Sequence, residues 1–261
     1  MAAARRLNHT IDTFPCYRYN LFTDKREVSF CAFIIDLHHE NSASEITYRF
    51  THPGRDRAHK DYSMNSIYGT HRPELERTRD FLVDQIEAIR SETKDRTGQD
   101  PIEHLLFRIK SEESMREKCI RKGLPETPES ALSLIYDAIG IRVVCSFIND
   151  VYMIRDRIAA LPGCRIVKEK DYIRKAKPNG YRSYHMIIQT DTGIYAEIQL
   201  RTISMDTWAA LEHHMKYKKK LNGNLELLTS ELKRCADELA STDLSMQTLH
   251  DLIYDEGDIT P

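Results

Sequence analysis

The stretch KPNGYRSYHMIIQTDTGIYAEIQLRT, residues 177–202, predicts a β-hairpin that carries polar and charged side chains. Its second half alternates apolar and polar residues, in the order Ala196, Glu197, Ile198, Gln199, Leu200 and Arg201. Successive side chains of a strand point to opposite faces, so one face of this strand is apolar and the other bears a carboxylate, an amide and a guanidinium. A three-residue loop from Thr190 to Ile194 would place His185 opposite Gln199. That register puts His185 and Glu197 on the same face.

A second carboxylate lies near another predicted strand. Asp137 comes just before the apolar run Gly140–Phe147, from which Arg142 projects. Two carboxylates from separate parts of a sheet, Asp137 and Glu197, can together hold Mg²⁺, which prefers oxygen ligands. Transfer of a phosphoryl-type group needs such a metal and cations that clamp the phosphate oxygens. The candidate cations are Arg108, Lys110, Lys118, Arg121 and Lys177.

Each of these residues could instead have a purely structural role. The basic residues between Arg108 and Arg121 could form the solvated face of a helix, and Asp137 could be an ordinary cap. Glu197 and Arg201 could form a cross-strand ion pair. The sequence contains no GxxxxGK[ST] loop, so side-chain cations rather than P-loop amides would have to bind phosphates.

Hydrophobic periodicity predicts helices and strands in alternation along the rest of the chain. The predicted helices run from Pro73 into the polar run 91–100, from Ser111 to Gly123, from Asp150 to Leu161, from Met205 to Lys219, and onward from Leu225. The predicted strands are Gly140–Phe147, Arg165–Tyr172, Ser183–Gln189 and Ile194–Arg201. The long apolar C-terminal helix needs a partner surface, either on the domain itself or on another subunit.

Composition limits the classes of partner. The chain has 261 residues, 30% of them charged, and a formal net charge of -2, so a polyanion must bind a local basic cluster. Six cysteines are scattered without zinc-like spacing, and no run resembles a signal peptide or a membrane span. We therefore expect a protein of the reducing cytoplasm with no membrane segment. Residues 1–70 are predicted to form an extension of unknown role, and residues 71–261 the functional domain.

The ordered motifs of residues 101–253 resemble those of RelA/SpoT-type alarmone synthetases, in particular the small single-domain synthetases. The markers are RIKS at 108–111, DAIGIRVVCSF at 137–147, KDYI at 170–173, KPNGYRSYH at 177–185, EIQLRT at 197–202 and WAALEH at 208–213. The resemblance implies an α+β fold with a mixed, nucleotidyltransferase-like sheet flanked by helices. It also implies Mg²⁺-dependent transfer of pyrophosphate from ATP to the 3′-hydroxyl of GDP or GTP, which is stringent-response (p)ppGpp synthesis.

The resemblance further implies roles for individual residues. On the ATP side, Arg108 and Arg142 would sandwich the adenine, and the phosphates would be held by Lys110, Ser114, Lys118 and Arg121. Asp137 would bind Mg²⁺, and Glu197 would assist the metal and act as general base toward the ribose hydroxyl. On the acceptor side, Tyr181 would stack on guanine, Lys177 and His185 would meet phosphates, and Gln199 and Arg201 would support that face.

Two other functions remain open at this stage. A toxic member of the same superfamily would move pyrophosphate onto the 3′ end of tRNA, with RNA-binding candidates in the N-terminal region at Arg5, Arg6, Arg55, Arg57 and Lys60. A catalytically idle RNA-binding or scaffold protein would keep the fold alone. The C-terminal helix also leaves open a homo-oligomer.

Overall fold

The structure of the protein, a computed structural model, describes residues 66–217 and 225–255. Most of the predicted N-terminal extension lies outside these residues, as do the candidate RNA-binding residues Arg5, Arg6, Arg55, Arg57 and Lys60. The part of the extension that is described packs into the domain, because Ile67 and Tyr68 are buried in the core. The hydroxyl of Tyr68 donates to the backbone carbonyl of Lys110 at 2.6 Å.

The described residues form five long helices and five strands. The helices are α1 (Arg72–Thr97), α2 (Glu112–Lys122), α3 (Ile148–Ala159), α4 (Ile203–Tyr217) and α5 (Leu225–Asp255). The strands are β1 (Ile102–Ile109), β2 (Ile139–Cys145), β3 (Cys164–Asp171), β4 (Tyr184–Thr190) and β5 (Tyr195–Thr202). A 3₁₀ turn at Gly69–His71 precedes α1, and a π-helical turn spans Ser130–Leu134.

The strands form one mixed sheet in the order β1-β2-β5-β4-β3. Strands β2 and β5 are parallel, and the other neighbouring pairs are antiparallel. The expected α+β fold with a mixed sheet, flanking helices and a long C-terminal helix is confirmed. The predicted hairpin register is also observed, since His185 pairs with Gln199 and the amide of Thr190 donates to the carbonyl of Ile194 at 3.0 Å.

Strand β1 was not predicted from the sequence, and one interpretation placed Arg108 on the solvated face of a helix rather than on a strand. The run Leu105-Leu106-Phe107 breaks the alternation that identifies a half-buried strand. As an edge strand β1 has one neighbour, and Leu106 and Phe107 are exposed. The alternation of buried and exposed residues that identifies a half-buried strand is therefore weak in β1.

Helix α2 begins and ends where its sequence predicts. The Ser111 side chain accepts from the amide of Ser114 at 3.3 Å, which caps the first turn. Gly123 closes the helix at φ 67°, a conformation that glycine adopts without steric cost. Helix α2 thereby presents Lys118 toward the edge of the sheet where Asp137 precedes β2.

The two faces of the sheet differ in chemistry. One face is apolar and is covered by α1 and α3 through buried side chains that include Leu82, Ile86, Val151 and Ile154. The other face carries the polar residues of the predicted hairpin. Cross-strand pairing of Gly140 with Glu197, and of Arg142 with Gln199, aligns this polar face across β2 and β5.

Helix α5 packs against α4 and the turn that precedes β4. The indole of Trp208 donates to the carbonyl of Leu232 at 2.8 Å, and Arg182 pairs with Asp237 at 3.1 Å. Farther along the helix, the hydroxyl of Thr202 donates to Asp243 at 2.5 Å. Among the described helices, none combines the length and apolar character that a bilayer crossing requires.

Candidate active site

A cavity of about 390 Å³ opens on the polar face of the sheet and contains both predicted carboxylates. Its lining includes the carboxylates of Asp137, Glu169 and Glu197, the side chains of Tyr172 and His185, and the lysines Lys118, Lys122, Lys168, Lys170 and Lys177. Five ammonium groups therefore surround three carboxylates. This excess of positive charge suits a ligand that carries several phosphates.

Asp137 is held by two lysines at the entrance to β2. Its Oδ2 accepts from Lys110 Nζ at 2.6 Å and from Lys118 Nζ at 2.5 Å. Burial raises the pKa of Asp137, but the hydrogen bonds and charges of the two lysines outweigh burial and lower the pKa below its usual range. The other oxygen, Oδ1, is buried and has no hydrogen-bond partner in the described part of the chain. Asp137 is thus ionised and keeps one oxygen available.

Glu197 lies on β5, with its two oxygens held by neighbours on the polar face. Its Oε1 is 3.4 Å from His185 Nδ1, and its Oε2 accepts from Gln199 Nε2 at 3.1 Å. Burial raises the pKa of Glu197, yet His185 and Gln199 bring it below the ordinary glutamate range. The negative charge of Asp137, which lines the same cavity, acts in the opposite direction and raises the pKa of Glu197.

The carboxylate pair fits a magnesium ion that shares its coordination with substrate. Mg²⁺ takes oxygen ligands, binds through one or two carboxylates and fills its remaining positions with water and phosphate oxygens. Asp137 supplies a buried oxygen that has no hydrogen-bond partner in the described residues, and Glu197 lines the same cavity. Within residues 66–217 and 225–255, no cluster of three His, Cys, Asp or Glu side chains suits a metal. Asp137 and Glu197 therefore fit a metal that completes its coordination with nucleotide and water, rather than a structural ion enclosed by protein ligands.

Tyr181 stands at the centre of a group of cations and rings. The ammonium of Lys177 lies 4.6 Å from the ring centroids of both Tyr172 and Tyr181. The hydroxyl of Tyr181 is 2.8 Å from His185 Nε2 and accepts from Arg201 Nη2 at 2.9 Å. Since the hydroxyl is fixed at both contacts, the orientation of the ring is set before any ligand binds.

Arg108 and Arg142 lie on the same face of the sheet, on neighbouring strands. Arg108 pairs with Gly140 and Arg142 lies two residues farther along β2, so the two guanidinium side chains are diagonal neighbours. Burial and the nearby charge of Arg201 lower the pKa of Arg142, and Asp206 opposes that shift. The Arg142 Nε is buried without a partner in the described residues.

Five of the predicted site residues line the cavity, namely Lys118, Asp137, Lys177, His185 and Glu197. The others contact these residues or lie on the same face of the sheet, except for two at the margin. Ser114 is exposed in the first turn of α2, where its hydroxyl accepts from that of Ser111 at 2.9 Å. Arg121 is exposed and is not among the residues that line the cavity, whereas its neighbour Lys122 is. Adjacent residues of a helix point about 100° apart, so only one of the two can face the site.

Several residues of the site were not predicted from the sequence. Lys168 and Lys170 lie on β3, and Lys170 pairs with His185 across the strands. Their spacing of two residues is the signal that could have placed them on the same face. Asp206, at the start of α4, contacts both Arg201, five residues earlier, and Arg142 on β2, and the second contact joins segments distant in the sequence.

Comparison with known proteins agrees with this geometry. Residues 107–222 match the family described as "Region found in RelA / SpoT proteins". The chain is 45% identical over 148 residues to GTP pyrophosphokinase YwaC of Bacillus subtilis strain 168, a match that spans 54% of this chain and 70% of that protein. The chain belongs to the RelA/SpoT family.

Other relatives support the assignment of the chain to the RelA/SpoT family. GTP pyrophosphokinase YjbM of the same organism is 32% identical over 157 residues, which span 57% of this chain and 72% of YjbM. The crystal structure of small alarmone synthetase 1 from Bacillus subtilis bound to its product pppGpp superposes with a TM-score of 0.60 at 29% identity, covering 69% of this chain and 94% of that one. Small alarmone synthetase 2 gives a TM-score of 0.57 at 39% identity, covering 68% and 97%.

The matched RelA/SpoT region contains every predicted site residue, from Arg108 to Arg201. Helix α5 lies beyond the matched region. The predicted site residues therefore lie in the part of the sequence that defines the family.

Proposed function

We propose that this protein transfers pyrophosphate from ATP to the 3′-hydroxyl of GDP or GTP and so makes (p)ppGpp. In this reaction the 3′-oxygen forms a bond to the β-phosphorus of ATP, the bond between that phosphorus and its α-side oxygen breaks, and AMP leaves. The observation that carries the proposal is the meeting of Asp137 and Glu197 in a cavity lined by lysines. The family membership and the names of the relatives support it.

We assign the metal to Asp137 and Glu197. Mg²⁺, when bound, would offset the charge that spreads over the phosphate oxygens during transfer. Asp137 would offer its unpaired Oδ1, and Lys110 and Lys118 would hold its other oxygen in place. Because Lys110 and Lys118 both contact the Asp137 carboxylate, they would also be close enough to bind phosphates coordinated to the same metal.

Nucleotide binding on the ATP side would use the arginines of β1 and β2. The guanidinium planes of Arg108 and Arg142 offer a stacking surface for adenine from one face of the sheet. Lys110, Ser114 and Lys118 would contact the phosphates, and the position of Lys122 in the cavity favours it over Arg121 for this role. A solved relative, small alarmone synthetase 1 of Bacillus subtilis, has been crystallised with AMPCPP, at 25% identity and a TM-score of 0.55.

The acceptor nucleotide would lie against Tyr181, with its guanine stacked on the ring. Lys177, which lies over the faces of Tyr172 and Tyr181, is placed to exchange a cation–π contact for a phosphate. His185, Gln199 and Arg201 would support this side through their hydrogen bonds to Tyr181 and Glu197.

Glu197 would remove the proton from the 3′-hydroxyl. The depressed pKa of Glu197 keeps it ionised at neutral pH, which is the state that a general base requires. His185 Nδ1 and Gln199 Nε2 orient the two oxygens of its carboxylate. The proton would pass to Glu197 as the 3′-oxygen attacks.

We also propose that α5 takes part in a homo-oligomer. Its exposed apolar residues include Leu244, Leu249, Leu252 and Ile253, and these would be covered by a second copy of the chain. Sedimentation of the full chain over a range of concentrations tests this assignment. A cytoplasmic location and binding of RNA remain predictions from the sequence.

The acceptor is tested by incubating the purified protein with Mg²⁺, ATP labelled on the γ-phosphate, and GDP, GTP or deacylated tRNA. The proposal predicts that label appears in the guanine nucleotide. Label on tRNA instead would support the toxic synthetase, and binding of RNA without any transfer would support the scaffold. Binding of tRNA should also weaken steeply with salt, because phosphate contacts release counterions.

A further inference from the structure

Asp206 joins basic side chains from three strands of the sheet. Its Oδ1 accepts from Arg201 Nη1 at 2.8 Å and lies 3.2 Å from Arg142 Nη1. Its Oδ2 is 3.7 Å from His104 Nε2 on β1. The Asp206 side chain is only 16% exposed. One carboxylate at the start of α4 therefore contacts β1, β2 and β5 at once.

Arg201 continues this contact into a closed ring of polar contacts around the acceptor side. Its Nη2 donates both to the hydroxyl of Tyr181 and to Gln199 Oε1, each at 2.9 Å. Tyr181 contacts His185, and His185 and Gln199 each hold one oxygen of Glu197. A neutral imidazole satisfies the ring if the Tyr181 hydroxyl donates to Nε2 and Nδ1–H donates to Glu197. The base and the acceptor tyrosine are thus fixed by one network.

The two arginines depend on Asp206 for their placement. The side chain of Arg201 is only 5% exposed, and the charges of Arg201 and Arg142 repel each other. Both Nε atoms are buried without partners in the described residues, so contacts of the Nη groups fix the two guanidiniums. Removing the Asp206 carboxylate would leave the buried charge of Arg201 beside the like charge of Arg142, whose side chain is 37% exposed.

We propose that Asp206 is a positioning residue that couples the two nucleotide subsites. Through Arg142 it orients the adenine side, and through Arg201 it orients Tyr181 and hence the guanine side. This inference rests on the assignment of Arg142 and Tyr181 to the two nucleotides in the proposed function. It predicts that one substitution, at a residue that does not line the cavity, weakens binding of both substrates.

The test is calorimetric titration of the purified full chain with AMPCPP and, separately, with GDP. Asp206→Asn keeps the size of the side chain and removes its charge. We expect the Kd of each nucleotide to rise about tenfold, the loss typical of a charge-assisted hydrogen bond. The rate at saturating concentrations of both nucleotides should change less than either Kd. Asp206→Glu, which restores the charge on a longer arm, should recover part of both affinities.

Asp100→Asn is the matched control. Asp100 also accepts from an arginine at 2.8 Å, the Nε of Arg90, but it lies in the connection between α1 and β1, and its arginine belongs to α1 rather than to the polar face of the sheet. It should lower the melting temperature and leave both Kd values unchanged. Where Asp206→Asn is too unstable to titrate, a loss of both affinities in Asp206→Glu serves the same test.

The outcomes separate this proposal from the proposed function. A rise in only one Kd, or none, in a folded Asp206→Asn overturns the coupling even if the wild-type protein transfers pyrophosphate. If both Kd values rise in Asp206→Asn, and the wild-type protein binds both nucleotides without transferring label, the coupling is supported and the proposed reaction is rejected. Equal effects of Asp100→Asn and Asp206→Asn on the affinities would also overturn it.

Discussion

The turn before Tyr181 is packed so closely against α5 that a single methyl group should disturb it. Gly180 has φ +90°, and a Cβ built on it would lie 2.6 Å from the Cβ of Ala236 and 3.2 Å from the Cα of Lys233. Alanine at this φ costs about 1–2 kcal/mol. Overpacking of a buried contact costs about 1–3 kcal/mol more. Gly180→Ala should therefore lower the free energy of unfolding by about 2–5 kcal/mol.

Gly193→Ala separates the two contributions. Gly193 has a similar φ of +84°, but a Cβ there would meet nothing within 4 Å. It should show only the backbone cost of about 1–2 kcal/mol. Urea unfolding of both variants measures the difference, which is expected to be about 1–3 kcal/mol. Equal losses in the two variants would refute the argument that α5 constrains the turn.

A double-mutant cycle with Ala236→Gly tests the contact directly. Glycine in the helix interior costs about 1 kcal/mol by itself, and it removes the nearest atom that the new methyl group would meet. The double variant should lose less stability than the sum of the two single variants. Gly180→Ala should also raise the acceptor KM, because it displaces the adjacent Tyr181, and this rise should shrink in the double variant.

Three further predictions concern the site itself. Because the pKa of Glu197 is depressed, protonation of this base should lower kcat/KM only at a pH below the ordinary glutamate range. His185→Gln removes a contact that lowers this pKa, so it should move the acid limb of the pH–rate profile to higher pH. An unmoved limb would count against the His185 contact. Tyr181→Ala should weaken acceptor binding by about 1–3 kcal/mol if the ring stacks on guanine, and Tyr181→Phe should keep most of that affinity. Equal acceptor KM values in Tyr181→Ala and wild type would exclude stacking. Lys122→Ala should raise the KM for ATP more than Arg121→Ala does, and the reverse order would favour Arg121 as the phosphate contact.

Local patterns in the sequence were sufficient for the hairpin and for its register. The three-residue loop after Thr190 and the strict alternation from Ala196 to Arg201 leave one pairing that buries the apolar face. The cap at Ser111 and the glycine at 123 likewise fix both ends of α2. In each case the deciding interactions lie within a few residues of one another.

Other features depend on contacts that no local pattern contains. Strand β1 is recognisable only through its pairing with β2, because exposed Leu106 and Phe107 obscure its period. The choice between Arg121 and Lys122 depends on the rotation of α2 about its axis. Asp206 gains its contact with Arg142 from the packing of α4 against β2.

The transfer assay on Glu197→Gln tests the central claim most directly. The amide keeps the shape of the side chain but cannot take a proton, and it binds a metal less well than a carboxylate. With γ-labelled ATP, GDP and Mg²⁺, we predict that the variant transfers no detectable label while titrations still show binding of AMPCPP and GDP. Transfer at the wild-type rate by the folded variant would contradict the assignment of Glu197 as base and metal ligand.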